Sequence, residues 1–106
     1  MKNINSIKIG VIGVGHLGVF HLRKLSEIPE ISVSGIYDID LKKAAVMSRD
    51  FNVLSFSKLD DLLDSSDAVL VVTPTSSHYK IAIQALNAGC HVFIEKPITN
   101  NLTDAD

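Results

Sequence analysis

The chain has 106 residues, of which 46% are hydrophobic and 21% charged, so it is a folding sequence and neither a disordered nor a collagen-like one. That length holds one domain or part of one. Ten Lys and Arg against twelve Asp and Glu leave a formal charge of −2, without the clustered basic face that a nucleic-acid partner requires.

After a polar leader, Met1–Ser6, the residues Ile7–Ile12 form a β-branched run closed by Gly13, the pattern of a strand buried on both faces. From His16 the period changes. Leu17, Phe20, Leu25 and Ile28 fall at helical spacing until Pro29 stops the element. A second strand is predicted over Ile31–Tyr37, then a helix from about Asp40, its cap, to Phe51. Val53–Phe56 reads as a short third strand. Leu59–Leu63 reads as a short acidic helix, and Asp60, Asp61, Asp64 and Asp67 as a solvated face without metal-ligand spacing. Ala68–Thr73 is the fourth strand, ended by Pro74. Tyr79, Ala82, Ile83 and Leu86 make an i, i+3, i+4, i+7 stripe, with Gly89 at the expected C-terminal stop. Val92–Glu95 is the fifth strand, ended by Pro97.

Alternating strands and helices with short connections predict parallel strands, because a helix supplies the crossover that a parallel pair needs. Right-handed crossovers then give an α/β, doubly wound open sheet in the order 3-2-1-4-5. No repeat or linker interrupts it. Asn101-Leu102-Thr103-Asp104 resembles a helix start, yet the sequence stops at Asp106, which predicts a truncated protein. The single Cys90 excludes an internal disulfide and suits a reducing compartment. No apolar run approaches the ~18–20 residues of a membrane span, and no signal-peptide pattern opens the chain. A soluble, cytoplasmic protein with no membrane partner is expected.

Gly13-Val14-Gly15-His16-Leu17-Gly18 reads G-x-G-x-x-G between a buried strand and a helix, the context that gives the string meaning. Gly13 permits the tight turn, Gly15 lets the backbone approach a pyrophosphate, and Gly18 lets the helix lie close on the strand. The N–H groups at the helix start, those of His16 and Leu17 included, attract the anion together with the helix dipole. The plainer reading is a strand–helix turn that merely needs glycine. Asp38 argues against it, because it ends the second strand about 20 residues after Gly18, where a carboxylate accepts hydrogen bonds from adenine-ribose hydroxyls. A 2′-phosphate there would meet a like charge, and Ile39 supplies no compensating cation, so NAD is favoured over NADP. His21, four residues from both Leu17 and Leu25, is expected to pack on the apolar face of its helix.

Thr73-Pro74-Thr75-Ser76-Ser77-His78, then Ala85-Leu86-Asn87-Ala88-Gly89-Cys90-His91-Val92, then Glu95-Lys96-Pro97 together resemble the glucose–fructose oxidoreductase/inositol dehydrogenase (Gfo/Idh/MocA) family of nicotinamide-dependent oxidoreductases. The resemblance covers essentially the whole chain as that family's N-terminal Rossmann domain, residues 1–106, and departs from it at Cys90, where the family commonly has Lys in a turn. His21, Asp38, Thr73, Pro74, His78 and Lys96 fall on family positions. The resemblance implies that the Thr73–Pro74–Thr75 segment, His78, Glu95 and Lys96 line the dinucleotide. It also implies that Lys96 reaches the nicotinamide ribose and the oxygen of a sugar or polyol substrate, where a lysine stabilises a developing alkoxide during hydride transfer. The family's catalytic base belongs to a second domain that this sequence does not contain, so the chain alone is expected to bind NAD without turnover.

Two other readings stand beside this one. A stand-alone NAD(H)-sensing module has no need of a substrate-facing lysine. A methyltransferase binding S-adenosylmethionine also places an acid after its second strand, but the Gly18 spacing suits a dinucleotide better. An apolar fifth strand left at the sheet edge finally predicts a homo-oligomer or aggregation.

Overall fold

The β-branched run Ile7–Ile12 is the centre of the sheet because it is apolar on both sides, and helices cover both of them. The computed structural model describes residues 6–13, 15–73 and 75–94; the side chains of residues 16, 17 and 75–78 fall outside that description. In chain order the elements are β1 (Ile7–Ile12), α1 (His16–Ser26), β2 (Ile31–Tyr37), α2 (Leu41–Phe51), α3 (Leu59–Asp64), β3 (Ala68–Val71), α4 (Thr75–Asn87) and β4 (His91–Ile94). Among the described residues the sheet has four strands, all parallel, in the order β2-β1-β3-β4.

Alternate residues of the strands feed two cores. Val11 and Ile36 pack with Leu22 of α1 and Ala44 of α2 on one face. Ile12, Val69 and Val71 pack with Leu62 and Leu63 of α3 and Ala85 of α4 on the other. This three-layer arrangement is the expected doubly wound one.

The predicted third strand is reduced to a single parallel bridge, Ile36 to Ser55, on the outer edge of β2. The cause is local. Asn52 ends α2 in the left-handed conformation (φ 55°). The Val53 N–H then donates to the Ser48 carbonyl at 3.0 Å, and the Val53 carbonyl accepts from the Ser48 hydroxyl. Both polar groups of Val53 therefore serve the helix end. Only Leu54 and Phe56 remain to exchange backbone bonds with Ile36, at 2.8 and 2.9 Å.

β2 carries a bulge. Ile9 opposes Val33 while Gly10 opposes Gly35, so Ser34 is an extra residue. It restores phase, since Ile31, Val33 and Ile36 then all face α1 and α2. The Ser34 and Ser66 hydroxyls lie 2.5 Å apart, and Ser66 donates onward to the Leu62 carbonyl at 2.7 Å. A methyl group on the adjacent Gly35 would stand 2.5 Å from the Phe56 ring, so the bulge closes only around a residue without a side chain.

Two helical stripes differ from the sequence pattern. α4 buries Ala82 and Ala85 and leaves Tyr79, Ile83 and Leu86 exposed. α1 buries Gly18 and Leu22 and leaves Phe20 exposed, with half-buried His21 edge-on to the Phe20 ring. Asp67 is not on a helix face. It precedes β3, where its carboxylate and N–H bond the backbone of Lys8 and its carbonyl accepts from His91, pinning β1, β3 and β4 together. Cys90 is a core residue, its thiol donating to the Leu63 carbonyl at 3.4 Å. Burial pushes that thiol's pKa up, and the carboxylates of Asp67 and Asp64 add to the effect.

Candidate dinucleotide-binding site

Three strand ends meet at Gly13. Its N–H donates to the Tyr37 carbonyl at the end of β2 at 2.8 Å, and the Val72 N–H beyond β3 donates to the Ile12 carbonyl at 2.8 Å. The turn needs glycine twice over. Its φ is +95°, and a methyl group there would stand 3.0 Å from the Val72 carbonyl carbon and 3.1 Å from Thr73.

Gly15 is different. It is the N-cap of α1 with an ordinary φ of −71°, and a methyl group on it would meet none of the described residues within 4 Å. Nothing among the described residues requires glycine there, and its absent side chain leaves bare backbone. α1 has no side-chain cap and no acid in its first turn. The first N–H groups of the helix, those of His16, Leu17 and Gly18, thus have neither an intrahelical acceptor nor a competing carboxylate in their own turn. Arg23 and Lys24 occupy the last turn, opposite in charge to the helix end they sit on.

Asp38 follows β2 directly and is half-buried, and one of its oxygens accepts the Asp40 N–H at 2.8 Å. Asp40 caps α2 as its sequence position implies, accepting from the N–H groups of Lys42 and Lys43 at 3.1 and 3.2 Å. Thr73, against Gly13, has a buried hydroxyl with no hydrogen-bond partner among the described residues. A buried hydroxyl is costly unless something satisfies it.

These features test whether a dinucleotide fits. The bare Gly15 backbone at an uncapped helix start is the shape and polarity a pyrophosphate requires. The Thr73 hydroxyl, without a partner among the described residues, offers a donor and acceptor at the same carboxyl edge, and Asp38 offers a carboxylate at the end of the neighbouring strand. The residues present fit the group. Of the residues singled out from sequence, the structure brings Gly13, Gly15, Gly18, Asp38 and Thr73 to one edge of the sheet. His16, Leu17, Thr75 and His78 are placed by their backbones in α1 and α4. Pro74, Glu95 and Lys96 lie outside the described residues.

The sequence pattern did not single out the cavity of about 640 Å³ between α1 and α2, lined by Gly15, Val19, Phe20, Arg23, Lys42, Lys43, Val46 and Met47. Among the described residues it shares only Gly15 with the glycine cradle, and neither Asp38 nor Thr73 lines it. The cations that follow the Asp40 cap were its one sequence signal. Among the described residues no cluster of three or more His, Cys, Asp or Glu is placed to hold a metal, and no helix is long and apolar enough to cross a membrane.

Comparison with known proteins bears on this geometry. The family model described as an oxidoreductase family with an NAD-binding Rossmann fold matches residues 7–106. UDP-N-acetylglucosamine 3-dehydrogenase of Acidithiobacillus ferrooxidans is 42% identical over 94% of this chain and 31% of its own length. Its crystal structure matches with a TM-score of 0.82 at 41% identity, over 94% of this chain and 32% of that one. Glucose-6-phosphate 3-dehydrogenase of Bacillus subtilis is 37% identical over 92% of this chain and 28% of its own length. GenD2 from gentamicin A biosynthesis, solved in complex with NAD, matches with a TM-score of 0.83 at 28% identity, over 96% of this chain and 30% of that one. The chain thus spans about a third of the length of the curated relatives it matches. By family model, by identity and by fold, the chain belongs to the Gfo/Idh/MocA oxidoreductases and carries their NAD-binding Rossmann domain.

Proposed function

We propose that this chain is the coenzyme-binding domain of a cytoplasmic, homo-oligomeric dehydrogenase acting on a sugar, a polyol or a related alcohol. The observation that carries the reading is Gly15, a bare backbone position at an uncapped helix start where none of the described residues requires a glycine. There the first N–H groups of α1 hold the pyrophosphate and the Thr73 hydroxyl bonds the dinucleotide. Asp38 accepts from the adenine-ribose hydroxyls and repels a 2′-phosphate, which selects NAD over NADP. Bound NAD supplies the hydride acceptor. Lys96, with Glu95, Pro74, Thr75 and His78 around the coenzyme, hydrogen-bonds the substrate oxygen and stabilises charge on it. The proton of the alcohol needs a base that these residues do not provide. Relatives that act on nucleotide sugars, sugar phosphates and inositols support the substrate class.

Calorimetric titration with NAD and NADP tests the proposal. The expected result is NAD binding in the micromolar-to-millimolar range with NADP weaker by tenfold or more, and a reduced preference in Asp38→Ser. Absence of heat with either coenzyme would overturn it.

A further inference from the structure

The cavity of about 640 Å³ between α1 and α2 lies outside the glycine cradle, with which it shares, among the described residues, only Gly15. Two matched stripes wall it. Val19, Phe20 and Arg23 of α1 stand at i, i+1 and i+4, and Lys43, Val46 and Met47 of α2 at i, i+3 and i+4. Each helix follows a strand of the parallel pair β1 and β2, so both begin at the carboxyl edge of the sheet. Lys42 and Lys43 therefore lie at the Gly15 end. Arg23 lies further along α1, ~12 Å from Gly15 at a rise of ~1.5 Å per residue. The apolar side chains occupy the interval, with Phe20 49% and Val46 39% exposed.

The cations at the two ends have no carboxylate to neutralise them. The ion pair of this layer joins Arg49 to Asp50 at 3.9 Å, and Arg23, Lys42 and Lys43 form none among the described residues. Asp40 caps α2 through the backbone N–H groups of Lys42 and Lys43, not through their ammonium groups. Arg23 suits the dipole of its own helix, but the two lysines oppose theirs, since they stand in the first turn of α2 and no acid accompanies them there. Lys24 adds positive charge beside the apolar floor, its Nζ 5.6 Å from the centre of the Phe20 ring.

We propose that this cavity is a second ligand site, for an organic anion with an apolar or aromatic body. Its volume falls within the ~300–1,000 Å³ of small-molecule pockets, which are likewise mostly apolar with a few polar groups to fix orientation. The body lies along Phe20, Val46 and Met47. The acidic group pairs with Arg23, whose fork takes a carboxylate or sulfonate through two parallel hydrogen bonds, and the lysines hold the other end at positive potential.

Fluorescence titration with anilinonaphthalene sulfonate, an aromatic anion, tests the site, and the neutral phenylnaphthylamine is the control. Saturable binding of the anion in the micromolar range is expected, with the neutral dye weaker by about tenfold. Arg23→Glu and Lys43→Glu should each weaken the anion by about tenfold and leave the neutral dye unaffected. Lys43→Glu places an acid at the favoured end of α2, so stability in urea should hold or rise while affinity falls, a divergence that a structural role would not give. That variant decides the matter even where Arg23→Glu impairs folding. Saturating NAD should leave the anion bound, and failure of NAD itself to bind would count against the coenzyme reading alone. Absence of saturable binding overturns the proposal, and so does displacement of the anion by NAD or an affinity indifferent to Lys43→Glu.

Discussion

Gly13 and Gly15 stand two residues apart in one motif and do different physical work. The first is required by the fold, through its positive φ and its contact with Val72 and Thr73; the second is required by none of the described residues. Gly13→Ala should therefore cost about 1–2 kcal/mol in chemical denaturation, the cost of a side chain in left-handed backbone. Gly15→Asp should leave stability unchanged or raise it by about 0.5–1 kcal/mol, because it supplies the cap α1 lacks. The same carboxylate occupies the cradle and repels phosphate, so NAD affinity should fall at least tenfold by calorimetry. Equal loss of stability in the two variants would contradict the distinction. Cys90 gives a second residue-scale prediction. Its thiol stays protonated in the fold above the pH, about 8.5, at which an unfolded cysteine ionises. Above that pH the unfolded state binds fewer protons than the native state, so stability declines as pH rises. In urea denaturation between pH 8 and 10, Cys90→Ala should show a shallower decline than the wild type.

The bulge in β2 shows that an element can be legible while its phase is not. Ile31, Val33 and Ile36 do not alternate, and in a regular strand Ile36 would point away from Leu22 and Ala44. Ser34 absorbs the mismatch. Deleting Ser34 removes the extra residue and leaves Gly35, Ile36 and Tyr37 opposite Gly10, Val11 and Ile12, so each keeps its face and thermal unfolding should stay cooperative. Ser34→Ala keeps the bulge, loses only the hydroxyl pair with Ser66, and should cost about 1 kcal/mol. The predicted strand Val53–Phe56 failed for a related reason. Its β-branched and aromatic residues suit a strand, but the end of α2 takes up the polar groups of Val53 before the sheet can.

At the scale of the whole molecule, the proposed function predicts that coenzyme binding and catalysis separate. The purified chain should bind NAD yet give no increase in NADH absorbance with sugars or polyols, because a base for the alcohol proton is not among its proposed site residues. Multiple turnovers would refute this. The sequence by itself determined the alternation of elements, hence the parallel sheet, and placed the glycine turn and Asp38 in it, because periodicity and motif spacing are local properties of the chain. The motifs Thr73–His78 and Glu95–Pro97 likewise carried the family likeness. Tertiary structure alone decided the phase of β2, the burial of Cys90, the pinning role of Asp67 and the outward face of Tyr79, Ile83 and Leu86. Each of these depends on which element lies opposite, and an apolar residue in sequence carries no mark of whether its own fold or another surface will cover it.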